Sequence, residues 1–144
     1  MIIYKKMTIN DIEEVSNMEA RCFSMPWSRE AYIQALGCSD VVYVVAKDGN
    51  RIVGSCGVRN ILSEGEITNV MVDEPFRGQK ISYPMLQTLL EEGKKLGITQ
   101  FFLEVRAGNK PAVHLYEKCG FKVEGVRKNL YEMPREDGLV MWKR

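Results

Sequence analysis

The segment from Phe101 to Tyr116 (Phe-Phe-Leu-Glu-Val-Arg-Ala-Gly-Asn-Lys-Pro-Ala-Val-His-Leu-Tyr) constrains this chain more than any other. Phe101, Phe102, Leu103 and Val105 are aromatic, aliphatic or β-branched, which predicts a buried strand. That strand must stop at Gly108-Asn109. Asn109 can cap a helix, and Pro111 falls in the first helical turn, where a missing N–H costs nothing. A core strand is thereby tied directly to a helix. Glu104 lies near the strand end, and Tyr116 lies about two helical turns past the cap. A carboxylate and a phenol can then flank one cleft as general base and general acid.

With 144 residues, 45% hydrophobic and 27% charged, the chain is expected to form one domain, residues 1–144, with a substantial core. A net charge of +1 offers no overall electrostatic argument for a nucleic-acid or membrane partner. Met1-Ile2-Ile3-Tyr4-Lys5-Lys6 lacks the apolar core of a signal peptide, and no stretch approaches a membrane span. Cys22, Cys38, Cys56 and Cys119 are widely spaced. They predict reduced thiols and no metal site, so the expected compartment is the cytoplasm.

The remaining elements follow from periodicity and turn chemistry. Ile2 to Lys5 reads as a strand. Thr8 and Asp11 start a helix whose Ile12, Val15, Met18, Glu19 and Cys22 recur at helical spacing. Pro26-Trp27-Ser28 interrupts it, and Ser28 caps a second helix to about Leu36. Val41–Ala46 is a strand, Asp48-Gly49-Asn50 a hairpin turn, and Arg51 to about Asn60 the returning strand. Glu66–Val72 is another strand. A loop from Asp73 to Lys80 leads into a helix ending near Leu96, whose apolar face holds Met85, Leu86, Leu89 and Leu90. Phe121–Val126 and Leu139–Trp142 read as closing strands. The order β, α, α, β, β, β, α, β, α, β, β predicts an α+β fold. Its sheet is mixed and mostly antiparallel, with helices on both faces and one parallel crossover.

The strand-to-helix junction Val70-Met71-Val72-Asp73-Glu74-Pro75-Phe76-Arg77-Gly78-Gln79-Lys80-Ile81-Ser82 can aim several backbone N–H groups at one anion. After it come Leu103-Glu104-Val105-Arg106-Ala107-x-Asn109 and Leu115-Tyr116-Glu117-x-x-Gly120-Phe121. Together these motifs resemble the GNAT superfamily of acetyl-CoA-dependent N-acetyltransferases. Pro26-Trp27-Ser28, Arg127-Lys128-Asn129-Leu130-Tyr131 and Arg135-Glu136-Asp137-Gly138-Leu139-Val140-Met141 resemble, within it, the ribosomal-protein-alanine type.

The resemblance implies acetyl-CoA as co-substrate and a protein N-terminal α-amine, of a ribosomal protein, as acceptor. It implies that the backbone of Val70, Met71 and Val72 pairs with the pantetheine arm. Arg77, Gly78, Gln79, Lys80, Ile81, Ser82 and Tyr83 would cradle the pyrophosphate, and Asn109 would bind near the pantetheine. Glu104 would act as base and Tyr116 would protonate the leaving thiolate, with no acyl-enzyme. Trp27 and Tyr131 are the implied peptide-pocket residues. Lys80 and Ser82 depart from the family loop, which carries small residues there; Lys80 is expected to turn outward or to contact phosphate.

Each residue also has a plainer role. Glu104 alone suits a solvated strand end, Tyr116 a core position, Asn109 a simple cap, and Trp27 and Tyr131 packing. His114, the only histidine, lies two residues before Tyr116 and so faces away from it. Two further functional readings stay open: a small amine or a lysine side chain as acceptor, and a non-catalytic acyl-CoA-binding module. With Phe101, Phe102 and Leu103 beside it, Glu104 is expected to be partly desolvated, which would raise its basicity.

Overall fold

The computed structural model describes residues 1–144. Seven strands form one sheet: β1 (Ile2–Lys6), β2 (Val41–Asp48), β3 (Arg51–Ile61), β4 (Glu64–Val72), β5 (Gln100–Arg106), β6 (Lys122–Glu132) and β7 (Arg135–Lys143). Their spatial order is β1-β2-β3-β4-β5-β7-β6. Every neighbouring pair is antiparallel except β4 and β5, the two strands joined by a helical crossover. The expected mixed, mostly antiparallel sheet is therefore observed. The helices are α1 (Ile12–Cys22), α2 (Arg29–Leu36), α3 (Ser82–Lys95) and α4 (Lys110–Lys118). No helix is long and apolar enough to cross a membrane.

Local chemistry sets the helix starts. Asp11 accepts a hydrogen bond from the Thr8 N–H at 2.9 Å, closing a single 3-10 turn before α1 begins. Ser28 Oγ accepts from the Ala31 N–H at 3.1 Å, and Asn109 Oδ1 from the Ala112 N–H at 3.3 Å. Both are the caps that the residue types predict. The closing hairpin differs from the sequence reading. β6 and β7 are each several residues longer than expected, and Arg127–Tyr131 lies inside β6. β6 forms one edge of the sheet and is mostly exposed, so its polar residues carry no alternating signal from which its length could be read.

The sheet is buried from both sides in its middle. β2 shows why: Val42, Val44 and Ala46 pack toward α3, while Tyr43 and Val45 pack toward α1 and α2. Met85, Leu86 and Leu89 of α3 are fully buried against the first face, Val15 and Met18 of α1 against the second. Each such side chain contributes about 1.5–3 kcal/mol of burial, which outweighs surface pairs such as Lys95–Glu92.

A buried carboxylate ties the second layer together. Glu19, on α1 and 2% exposed, accepts from the Tyr32 hydroxyl, the Trp27 N–H and Asn69 Nδ2. Asn69 Oδ1 in turn accepts from the Tyr43 hydroxyl at 3.2 Å. Burial pushes the Tyr43 phenol up to about 12, so it remains a donor at physiological pH. Its ring lies where Gly57 has no side chain; a Cβ there would sit 2.4 Å from the ring. Trp27, Tyr32 and Tyr43 stack into one aromatic cluster, with centroids 5.4–6.2 Å apart.

Two other carboxylates are pinned by cations. Asp73 accepts from Arg21 at 3.0 Å and Arg51 at 3.2 Å, and Asp11 pairs with Lys47 at 3.0 Å. Burial works against each charge, yet these bonds outweigh it and hold both carboxyl groups below their ordinary value of 3.8. Depressed folded-state values mean that this stabilisation is complete above that ordinary value and is lost as pH falls through the lower one. Thermal unfolding across a pH series should therefore show an acid-side decline beginning near pH ~4. Asp73→Asn should flatten that decline while lowering stability at neutral pH. Glu19→Ala, which strands three buried donors, should cost on the order of 3 kcal/mol by urea unfolding.

Candidate active site

β4 and β5 pair only at their beginnings, Glu64 to Glu66 against Gln100 to Phe102. Beyond that they separate, and a cleft of about 960 Å³ opens between them. The cause is a bulge in β4. Thr68 stands opposite Gly57 and Met71 opposite Ser55, so Asn69 and Val70 face the single residue Cys56. Asn69 takes a left-handed φ of 57°, which asparagine tolerates better than most side chains. Its amide is held from behind by Glu19 and Tyr43. The extra residue swings the end of β4 away from β5, leaving the Val70, Met71 and Val72 backbone along the cleft wall.

The loop after β4 leads to one end of the cleft, which Arg77 and Ser82 line. Arg77 Nε donates to the Val72 carbonyl at 3.0 Å, so this side chain braces the loop. No backbone N–H from Gly78 to Tyr83 donates to a backbone acceptor. Gly78 and Lys80 have φ of 82° and 61°, and alternation of this kind turns successive N–H groups toward one concave side. Lys80 thus keeps the backbone shape a glycine would take, and its side chain is exposed. Ile81 is buried and anchors the start of α3, while Pro84 in the first turn withdraws no donor.

Glu104 and Tyr116 both line the cleft. They reach it from opposite faces of the sheet. Tyr116 belongs to the α3 side of the core, where its ring meets Phe121 edge-on at 6.1 Å. Burial holds its phenol well above the ordinary 10.0, so the proton stays on through the physiological range. Glu104 points the other way; its side chain is 30% exposed, so it is partly covered, but not chiefly by the apolar residues expected. Phe101, Leu103 and Val105 alternate onto the α3 side and cannot cover it. Phe102 shares its face but stacks on Trp142 at 4.8 Å. The Glu104 partner is instead Arg127, with Nη1 2.5 Å from Oε2. Asn109 reaches the cleft as well; its Oδ1 caps α4 and its Nδ2 has no partner in the protein.

The far rim combines two segments. Phe23, Ser24 and Met25, between α1 and α2, face Leu130, Tyr131, Glu132 and Met133 of the β6–β7 hairpin. Ser24 Oγ donates to the Met133 carbonyl at 2.8 Å, joining the two segments across the rim. Arg106 fixes the hairpin by donating to Pro134 O at 2.7 Å and Met133 O at 3.1 Å, and it lies over the Tyr131 ring at 4.5 Å. Of the two residues expected in a peptide pocket, Tyr131 lines this cleft and Trp27 does not. Trp27 lies in the aromatic cluster and lines only a small hollow of about 50 Å³ beside Tyr43 and Thr68. Phe23, Met25 and Met133 were not among the expected site residues. They are 40%, 64% and 57% exposed, and apolar residues in an irregular loop give no periodic signal.

Comparison with known proteins bears on this cleft. Residues 12–121 match the model of the acetyltransferase (GNAT) family. A Bacillus subtilis (strain 168) protein provisionally named a ribosomal protein bS18-alanine N-acetyltransferase is 33% identical over 140 residues. The match covers 96% of this chain and 92% of that protein. The solved ribosomal-protein-S18-alanine N-acetyltransferase from Escherichia coli superposes with a TM-score of 0.89 at 26% identity, over 99% of this chain and 92% of that one. Arabidopsis thaliana NAA60 in complex with acetyl-CoA shares the fold, with a TM-score of 0.87 at 16% identity, over 99% and 97% of the two chains. With its family model spanning most of its length, the chain belongs to the GNAT family of acetyltransferases.

Proposed function

We propose that the protein is an acetyl-CoA-dependent N-terminal acetyltransferase whose acceptor is the α-amine of a ribosomal protein. The observation that carries this reading is the cleft between β4 and β5, entered by a carboxylate from one face and a buried phenol from the other. The curated relatives carry a name of the same kind. Such an enzyme works beside ribosomes, in the cytoplasm.

In this reading the pantetheine arm lies along the freed edge of Val70, Met71 and Val72. The pyrophosphate sits on the unpaired N–H groups of Gly78 to Tyr83, and the amide of Asn109 donates to the arm. The acceptor chain runs beneath the rim formed by Phe23, Met25, Tyr131 and Met133. A rim this apolar suits a polypeptide better than a polyamine. An α-ammonium has a pKa of about 8 and is not nucleophilic while protonated. Glu104 takes its proton, and the amine attacks the thioester carbonyl. The tetrahedral intermediate expels the thiolate, which takes the Tyr116 proton, and the second proton that the nitrogen must shed as it becomes an amide returns the phenol to its neutral form.

Steady-state assays with an alanine-initiated peptide test the roles. Tyr116→Phe should lower kcat by roughly 10²-fold or more while the Kd for acetyl-CoA changes little. Equal losses in both would make Tyr116 a packing residue. Acetylation of polyamines but not of such peptides would overturn the choice of acceptor. Lys80→Gly should relieve left-handed strain of about 1–2 kcal/mol, offset in part by chain entropy, and so raise Tm by calorimetry without weakening acetyl-CoA binding.

A further inference from the structure

The Glu104 carboxylate is already occupied. Arg127 comes to it from β6, past the intervening β7, at the point where β6 loses register with β7 between Arg127 and Tyr131. The charged and titratable groups around it are few. Arg106, two residues along β5 on the same face, is committed to Pro134, Met133, Glu136 and the Tyr131 ring. Tyr131 and Glu132 lie on the hairpin side of the cleft and Tyr116 on the opposite wall. β7 contributes only Val140 as the direct neighbour of Glu104. Arg127 is therefore the one cation bonded to this carboxylate.

That contact conflicts with proton abstraction. The guanidinium occupies one oxygen of the carboxylate, at 2.5 Å. An incoming ammonium needs the same carboxylate, and two cations there repel. Yet the pair is built to yield, because Arg127 is 58% exposed and Glu104 30% exposed, and exposed pairs are weak.

We propose that Arg127 is a displaceable counter-ion of Glu104 that sets acceptor selectivity. The acceptor ammonium must exchange places with the Arg127 side chain before it can hand over its proton. A polypeptide held along the rim makes that exchange with the help of its other contacts; a small free amine has none. The proton passes from ammonium to carboxylate, and Arg127 stays charged throughout, changing only its partner. This inference rests on Glu104 acting as the base.

The test compares Arg127→Gln, Arg127→Lys and Glu104→Gln in the full chain, with acetyl-CoA, an alanine-initiated peptide and a small diamine. Arg127→Gln should lower the peptide KM roughly 2–5-fold, the range that an exposed pair supports. It should raise kcat/KM for the diamine more than for the peptide. Arg127→Lys, which keeps a cation, should restore the wild-type pattern. An Arg127→Gln enzyme with unchanged KM and selectivity, altered only in Tm, would overturn the inference. So would a fall in kcat at constant KM. If Glu104→Gln abolishes turnover while Arg127→Gln is indistinguishable from wild type, the inference alone fails. If Glu104→Gln binds acetyl-CoA and turns over normally, the base assignment fails first and takes the inference with it.

Discussion

The active-site half of the molecule depends on one buried carboxylate. Glu19 draws together the Trp27 backbone, the Tyr32 hydroxyl on α2 and the Asn69 amide on β4. A charge so deep is tolerable only because each donor is spoken for; removing any of them would leave it poorly solvated. In return it fixes Asn69 in a left-handed conformation that strand pairing alone would not select. The bulge at Asn69 separates β4 from β5, and that separation is the cleft. The cleft thus originates in a layer behind the strands that line it.

The cleft brings a carboxylate and a phenol together from two layers of the molecule. Strand alternation sends Glu104 and the core side chains of β5 to opposite faces. Tyr116 arrives from a helix on the face that Glu104 avoids. The phenol is therefore sheltered and the carboxylate is reached by solvent and by Arg127. The two groups differ in burial because they belong to different layers.

Much of this was legible in the chain. The strand-cap-helix run from Phe101 to Tyr116 fixed the positions of Glu104, Asn109 and Tyr116 through backbone preference alone. The element order and the single parallel crossover followed from periodicity. Other features left no local trace. Trp27 and Phe23 lie in one irregular segment, and only tertiary packing decides which turns inward. Arg127 meets Glu104 across an intervening strand, a pairing that no sequence separation encodes. Lys80 shows the opposite limit: its residue type argued against the loop conformation that its backbone nonetheless adopts.

The bond from Ser24 to the Met133 carbonyl has a geometric consequence. It joins a loop that follows α1 to a hairpin 109 residues later in the chain, so the two segments form one continuous rim. A change in the length or composition of either segment would therefore be felt at the mouth of the cleft by way of the other.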